Sequence, residues 1–357
     1  YTDSADGVLL LENSATNLVT YSEDFSQSYY NQTAGNLVSS NSLISPNGTQ
    51  DADKVTKTET DVWRAVTTSN ITLQTSTTYI ASCFVKKGDG VSAGVNVAIG
   101  GAKTLSLNSK IVFSNETIDN REAIGSWDNT GFEKFENGWY RVWGEFTTGT
   151  SVTSTSIGIV IDGDVISNKF NYFYGLQVEQ GSYPTSYIPT SGSSVTRQAD
   201  TANGSGNSEV FNDSEGVLFA DISALANDGT YRQISINDSS TSNRVTLDFT
   251  NTDNQIRSFI SFNGISQALM VGSAIATNQS KAAVSYKSND FSLWLNGFKV
   301  DTDTIGSVPT GLNNLNFDNG SGANDFYGKT KQIQYYDSAL TDLELETLTS
   351  YRSLNEL

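Results

Sequence analysis

The sequence predicts an all-β protein of two tandem antiparallel β-sandwich (jelly-roll) domains, with one short C-terminal helix. Three observations predict it. The 357 residues include 16 Tyr and 17 Phe, with Thr and Val also plentiful, and these types fit a pleated, half-buried surface. Segments of strand length recur along the whole chain, most of them bounded by Gly, Asn, Asp or Ser. A small, polar stretch near the middle, Thr201-Ala-Asn-Gly-Ser-Gly-Asn-Ser208, separates two such series, and a chain of this length suits two domains of ~100–200 residues.

Taken in order, residues 1–12 read as a lead-in with an apolar Val8–Leu11. The first domain spans 13–198. Its expected strands are Lys54–Thr56, Trp63–Thr67, Thr78–Lys86, Gly94–Ile99, Lys110–Phe113, Tyr140–Thr147, Thr155–Ile161 and Asn171–Glu179. The nearly continuous apolar run Ile157–Ile161 suits a strand in the middle of a sandwich. Residues 199–210 have linker composition. The second domain, 211–357, restarts the pattern at Gly216–Ile222, Arg232–Ile236, Arg244–Phe249, Ile256–Phe262, Ala268–Val271, Lys281–Tyr286, Phe291–Leu295 and Phe298–Asp301. Asn263-Gly264 and Asn296-Gly297 are type I′ hairpin signals. Thr341–Thr349 is the one predicted helix: Thr341 can cap it, and Glu344, three residues on, completes a capping box.

Charge and composition exclude several function classes. The net charge is −18, spread over both halves, so no basic patch awaits phosphates and nucleic acid is not an expected partner. The acid reads as a solvated surface or as loop carboxylates for Ca²⁺. No run reaches the ~18 apolar residues of a spanning helix, so membrane insertion is not expected. Cys83, the only cysteine, lies in an apolar run and predicts a buried thiol. The chain starts at Tyr1 with no secretory leader and reads as a piece of something longer. With no histidine, Ser-His-Asp and Cys-His nucleophiles and His-based zinc sites are removed. No dinucleotide or Walker pattern follows a strand.

Two groups of phrases carry a resemblance. In the first domain they are Asn17-Leu-Val-Thr-Tyr-Ser-Glu-Asp-Phe-Ser26, Pro46-Asn-Gly-Thr-Gln-Asp-Ala-Asp-Lys-Val55, Gly138-Trp-Tyr-Arg-Val142 and Tyr174-Gly-Leu-Gln-Val-Glu-Gln-Gly-Ser-Tyr-Pro-Thr-Ser-Tyr-Ile-Pro-Thr190. This order resembles the carbohydrate-binding-module-like jelly rolls of phage tail fibres and bacterial surface proteins. In the second they are Phe291-Ser-Leu-Trp-Leu-Asn-Gly297, Phe326-Tyr-Gly-Lys-Thr-Lys-Gln-Ile-Gln-Tyr-Tyr-Asp337 and Ala339-Leu-Thr-Asp-Leu-Glu-Leu345. These are similar to laminin-G-like and concanavalin-A-like lectin domains, in which the last phrase packs a short terminal helix on the sandwich.

The resemblance implies a non-enzymatic glycan-recognition or adhesion module, extracellular, on a virion or bacterial surface. A polysaccharide or cell-surface glycan is then the partner, and a homo-oligomer, a trimer in a fibre, is the assembly. Two alternatives stay open: the accessory region of a secreted polysaccharide-degrading enzyme, and a structural spacer or oligomerisation module. Glucanases of the second fold carry Glu-x-Asp-x-Glu or Glu-x-Asp-x-x-Glu on one strand, which is missing here, and alginate-lyase-type sandwiches use Gln-x-His where this chain has Gln332-Ile-Gln334.

Sugar binding needs an exposed ring to stack against, with polar side chains for the hydroxyls. The candidates are Trp63 with Arg64, Tyr29 with Tyr30 in a polar loop, and Trp127 among the turn residues Gly125–Asn129. Trp139 and Trp294 read as strand tryptophans of the core, and Tyr231-Arg232 and Asn243-Arg244 are weaker turn-edge signals. The resemblance also implies one structural Ca²⁺ near the first and last strands of the jelly roll, where Glu12, Asn17, Glu23, Asp24 and Glu179 supply oxygens. Asp301, Asp303, Asp318 and Asp325 are a second acidic candidate.

Overall fold

The computed structural model describes residues 7–32, 36–60, 63–69, 71–162 and 168–351. They divide into two compact units, Ser14–Gln198 and the flanking segments Tyr1–Asn13 with Ala199–Leu357. Each is a β-sandwich in which every ladder between strands is antiparallel, as the all-β reading requires.

In the unit 14–198, one six-stranded sheet runs Thr117–Ile124, Leu105–Val112, Ser92–Gly101, Val152–Asp162, Trp63–Ser69, Tyr30–Gln32. The other runs Asn129–Lys134, Trp139–Thr147, Thr78–Lys87, Lys169–Gln180, Ala52–Lys57, Asn36–Leu43. Alternate residues Val95, Val97 and Ile99, Leu105 and Leu107, and Ile157, Ile159 and Ile161 of the first sheet meet Ala81, Cys83, Val85, Val142, Phe146, Phe173 and Val178 of the second, the period of two that a strand imposes. Val160, on the opposite face from Ile159, is also fully buried, so both faces of this strand are covered and its sequence reads as a continuous apolar run. A two-stranded ribbon, Ala15–Asn17 against Val195–Arg197, brings the ends of the unit together.

The outer face of the second sheet is covered by the chain's own 181–190 segment. Trp139, Phe84 and Tyr174 are buried there with Tyr187 packed against them. Glu179 holds this segment down: it accepts from the Thr185 amide at 3.0 Å and the Thr185 hydroxyl at 2.6 Å, and from Gln177 at 2.7 Å. Arg141 donates to the Thr185 carbonyl at 2.6 Å and to Ser82 at 3.0 Å. Buried polar atoms so paired avoid the desolvation penalty of an unmade bond.

In the second unit, a six-stranded sheet runs Leu9–Leu11, Gly328–Tyr336, Glu215–Ala224, Ser280–Lys287, Asp290–Leu295, Phe298–Asp303. A five-stranded sheet runs Ile265–Ser273, Gln255–Phe262, Arg244–Phe249, Arg232–Asn237, Asn314–Asn316. Leu218, Ile222, Val284 and Leu293 face Ile234, Ile236, Val245, Leu247, Phe249, Ile256, Ile260 and Met270 across the core. Asn263-Gly264 and Asn296-Gly297 take positive φ at both positions, as type I′ turns require. The helix forms at Asp342–Thr349, with Thr341 and Glu344 making the reciprocal capping box. Its Leu345 is buried against Val217, Phe219, Ala283 and Trp294 on the outer face of the six-stranded sheet.

Two boundary readings change. The lead-in is a strand of the second sandwich, Leu9–Leu11 pairing with Gly328–Thr330, and Leu11 is buried in that core. Residues 199–210 are not a free linker. Gly204 donates to Asn316, Ser205 and Leu315 exchange backbone bonds, and Asn203 binds Asp318 and Phe317. The polar residues that read as linker composition are there to pair with the edge strand Asn314–Asn316. Chain order therefore places the 14–198 sandwich as an insertion in the other one. Where the chain leaves and returns, Glu12 and Asp200 clamp each other: the Glu12 amide donates to the Asp200 carboxylate and the Asp200 amide to the Glu12 carbonyl, each at 2.9 Å.

Candidate functional site

The helix covers the outer face of the six-stranded sheet in the second unit, whereas the outer face of the five-stranded sheet is polar and aromatic. Opposed residues on adjacent strands share a face, so the registers define its rows. One row is Gln233, Asp248, Arg257, Val271. The next holds Ser235 opposite Thr246 and Phe259 opposite Leu269, the two pairs joined by a bond from the Phe259 amide to the Thr246 hydroxyl at 3.1 Å. The third is Asn237, Arg244, Ser261.

Asp248 is the centre. It is fully buried and receives Arg257 Nε at 2.9 Å, Arg257 Nη2 at 2.7 Å and the Thr246 hydroxyl at 2.8 Å. Burial pushes its carboxyl up from the usual range, and the Arg257 charge with bonds from Thr246, Arg257 and Gln233 opposes the rise. Arg257 is held over two rings: its Cζ lies 5.2 Å from the Tyr231 ring centroid and 5.9 Å from that of Phe259. Arg244 approaches the same Phe259 ring, its Cζ 5.4 Å from the centroid, and donates from Nη1 to the Asn319 carbonyl at 2.7 Å. Cation–π contacts of this kind contribute about 0.5–2 kcal/mol each.

The loop 318–324 closes one side of the face. Ser235 donates to the Asp318 carbonyl at 2.7 Å and the Gln233 amide to the Asn324 carbonyl at 2.9 Å. Gly320 is needed for this approach, since a Cβ there would stand 2.7 Å from the Ser240 carbonyl oxygen and 2.9 Å from Asn237 Cγ. The other side is open: Arg244, Tyr231 and Phe259 are half-buried, the Arg257 side chain is 21% exposed and Leu269 is 53% exposed. The result is an apolar platform, Phe259 with Leu269, flanked by two guanidinium groups and backed by Gln233, Thr246 and Asp248.

The residues singled out from sequence in the first unit fare differently. Trp127 is not an exposed ring: it is 7% exposed, its Nε1 donates to the Asn108 carbonyl at 3.2 Å and its edge meets Phe146. The turn residues around it follow the chain over the rim, and Gly144 opens the slot into which the indole drops. Tyr30 is buried, its hydroxyl donating to the Tyr21 carbonyl and its ring packing on Phe25 and Tyr29. Tyr29 is half-buried against Tyr21. Arg64 pairs with Glu59, and the Trp63 side chain lies outside the described residues. Among the described side chains, Tyr29, Tyr30, Arg64 and Trp127 build no common platform.

The five proposed Ca²⁺ donors do not make one coordination set. Glu12 belongs to the other unit. Asn17 spends its amide on the chain, accepting from Val19 and Val178 and donating to Leu176 and Ile188. Glu179 is committed to Thr185 and Gln177. Glu23 accepts from the Tyr174 and Tyr187 hydroxyls at 2.6 and 3.3 Å, and Asp24 closes a local turn with Ser26 and Gln27. In the second acidic group, Asp301 takes the Val271 amide, Asp303 that of Ile305, Asp318 that of Gly320 and Asp325 the Tyr327 hydroxyl. Among the described residues, no three Asp, Glu or Cys side chains are placed to hold a metal ion.

No protein-family model and no curated protein matches the chain. Among solved structures, it is similar to a CBM40 module of a Ruminococcus gnavus IT-sialidase bound to α2,3 sialyllactose, at 16% identity over 42% of this chain and 94% of that one, TM-score 0.34. It is also similar to a SAP-like pentraxin of Limulus polyphemus, at 10% identity over 43% of this chain and 76% of that one, TM-score 0.33. A third is the mouse laminin α1 chain, domains LG4-5, at 9% identity over 90% and 95%, TM-score 0.30. The sandwich assignment rests on the strand registers above rather than on these overlaps.

Proposed function

We propose that this chain is a glycan-recognition module that binds without cleaving, and that its ligand lies on the open half of the five-stranded sheet's outer face. The observation that carries this is the Phe259–Leu269 platform set between Arg244 and Arg257. A sugar presents an apolar ring face and a rim of hydroxyls, and this surface offers the exposed Leu269 beside Phe259, with guanidinium donors held over the phenyl ring. Its geometry is fixed by strands and by the buried Asp248, so little ordering is required on binding.

Binding rather than cleavage is supported by the carboxylates. Glycosidic cleavage takes a pair of them ~5–9 Å apart. The rows of this face carry one, Asp248, and it is fully buried beneath Arg257 and Thr246. The setting that suits the reading is an extracellular one, on a virion fibre or a bacterial surface, with trimeric display raising avidity.

Binding of the intact chain to an array of bacterial, algal and plant polysaccharides tests the proposal. The expected result is capture of at least one glycan, with affinity falling tenfold or more in Phe259→Ala and little changed in Tyr29→Ala. A folded protein that captures none, or a Phe259→Ala variant that binds as before, overturns it.

A further inference from the structure

We infer that the sugar bound on this face is an acidic one, carrying a carboxylate or sulfate oxyanion that is taken between Arg244 and Arg257. The inference rests on the glycan-binding reading of the same face and adds the chemical class of the ligand.

The donor inventory is unbalanced. A guanidinium has five N–H groups in a rigid fork. Arg257 uses Nε and Nη2 on Asp248, which leaves Nη1 without a protein partner among the described residues. Arg244 uses only Nη1, on a backbone carbonyl, and its Nε is buried with no hydrogen-bond partner. That Nε is out of a ligand's reach, and the donors open to an incoming acceptor are Arg244 Nη2 and Arg257 Nη1, which bond no protein acceptor among the described residues. The charged groups that act on Arg244 are Asp248, which stabilises its cation, and Arg257, which opposes it. Asp248 is the carboxylate bonded to Arg257, and Arg244 bonds a backbone carbonyl and no carboxylate among the described residues.

The two guanidinium carbons also lie at similar distances, 5.4 and 5.9 Å, from the one Phe259 centroid. An oxyanion reaching these forks therefore sets its sugar ring beside that phenyl group, against the exposed Leu269. Arginine forks match the planar carboxylate and accept sulfate oxygens equally well, so both sources share one chemistry. A neutral sugar would leave the Arg244 guanidinium without a charged acceptor. The acidic remainder of the molecule does not forbid the approach, because at an ionic strength of about 0.15 M its field is screened beyond ~8 Å.

The test compares matched polymers by titration of the full chain. De-esterified polygalacturonate is set against its fully methyl-esterified form, and a sulfated galactan against its desulfated form. The expected result is at least tenfold tighter binding to an anionic member of either pair, with the two pairs telling carboxylate from sulfate. Arg244→Gln is expected to abolish that preference and Arg244→Lys to restore part of it, each with an unchanged unfolding temperature. Equal binding of charged and neutral members, or an anionic preference that survives Arg244→Gln, overturns the acidic assignment and leaves the glycan reading standing. If Arg244→Gln fails to fold, the matched polymers alone decide on the native chain.

Discussion

Asp53 shows how a single buried acid sets a pH dependence. Its carboxylate accepts from the Phe25 amide at 2.8 Å and the Asn41 amide at 3.0 Å, yet burial pushes its pKa from 3.8 up to about 6, the two backbone bonds opposing and Asp24 and Asp51 adding to the rise. A raised carboxyl holds its proton more tightly folded than unfolded. Its contribution is therefore fully present below the unfolded value and is lost as pH climbs through about 6, a difference on the order of 3 kcal/mol. Asp53→Asn is expected to remove this component: the stability difference between native and variant, from urea unfolding, should change between about pH 4 and 6 and be flat above pH 7. A flat difference throughout would mean the carboxyl is not perturbed. Gly144 is a second position where one atom matters, since a Cβ there would stand 2.5 Å from the Trp127 ring. Overpacking of this kind costs typically 1–3 kcal/mol, so Gly144→Ala should lower the unfolding temperature and shift the Trp127 emission. Nothing in Gly125-Ser-Trp-Asp-Asn129 signals that slot, because the room is made by a glycine on another strand. Sequence could flag Trp127 as an aromatic in a turn and could not say that it folds inward.

At the scale of elements, legibility followed burial. The central strands were visible because one or both of their faces are apolar, as Thr78–Lys87 and Val152–Asp162 are. Thr117–Ile124 and Asn129–Lys134 are not legible: they are edge strands with no buried residue, and edge strands carry charge to block further pairing. The helix is legible to its cap, since a capping box is local chemistry. Thr341→Ala should cost about 1 kcal/mol of helix anchoring, read as faster amide exchange in 342–345 with the sheets unchanged. The candidate face was half legible. Asn243-Arg244 and Tyr231-Arg232 stand out in the sequence as turn-edge residues, whereas Arg257-Ser-Phe259 and Asp248 carry no turn signal. Their alternation with Ile256, Ile260, Leu247 and Phe249 is a signal that the outer face is polar and regular. Which polar residues meet across strands depends on register, and register follows from the whole sheet.

The insertion of one sandwich into the other governs the whole molecule. A polar stretch near residue 200 looks like a boundary between tandem beads, and a three-residue strand at the start looks like a tail. Only the pairing of Leu9–Leu11 with Gly328–Thr330 connects them, a contact more than 300 residues apart in sequence. Such a strand is marginal by itself and is held by Leu11 in the core and by the Glu12–Asp200 clamp. Removing residues 1–11 should therefore weaken the 199–357 sandwich and spare the 14–198 one. The tryptophans separate the two readouts: Trp63, Trp127, Trp139 and Trp143 lie in the inserted unit and Trp294 alone in the other. Calorimetry of the truncated chain should show one transition moved down by several degrees, while the bulk of the tryptophan emission change stays at its original temperature. The loss of the strand also bares the backbone of Gly328–Thr330 as an open sheet edge, so the truncated chain should self-associate at concentrations where the full chain does not. A tryptophan-monitored transition that shifts together with the calorimetric one would mean that the two sandwiches unfold as a single cooperative body.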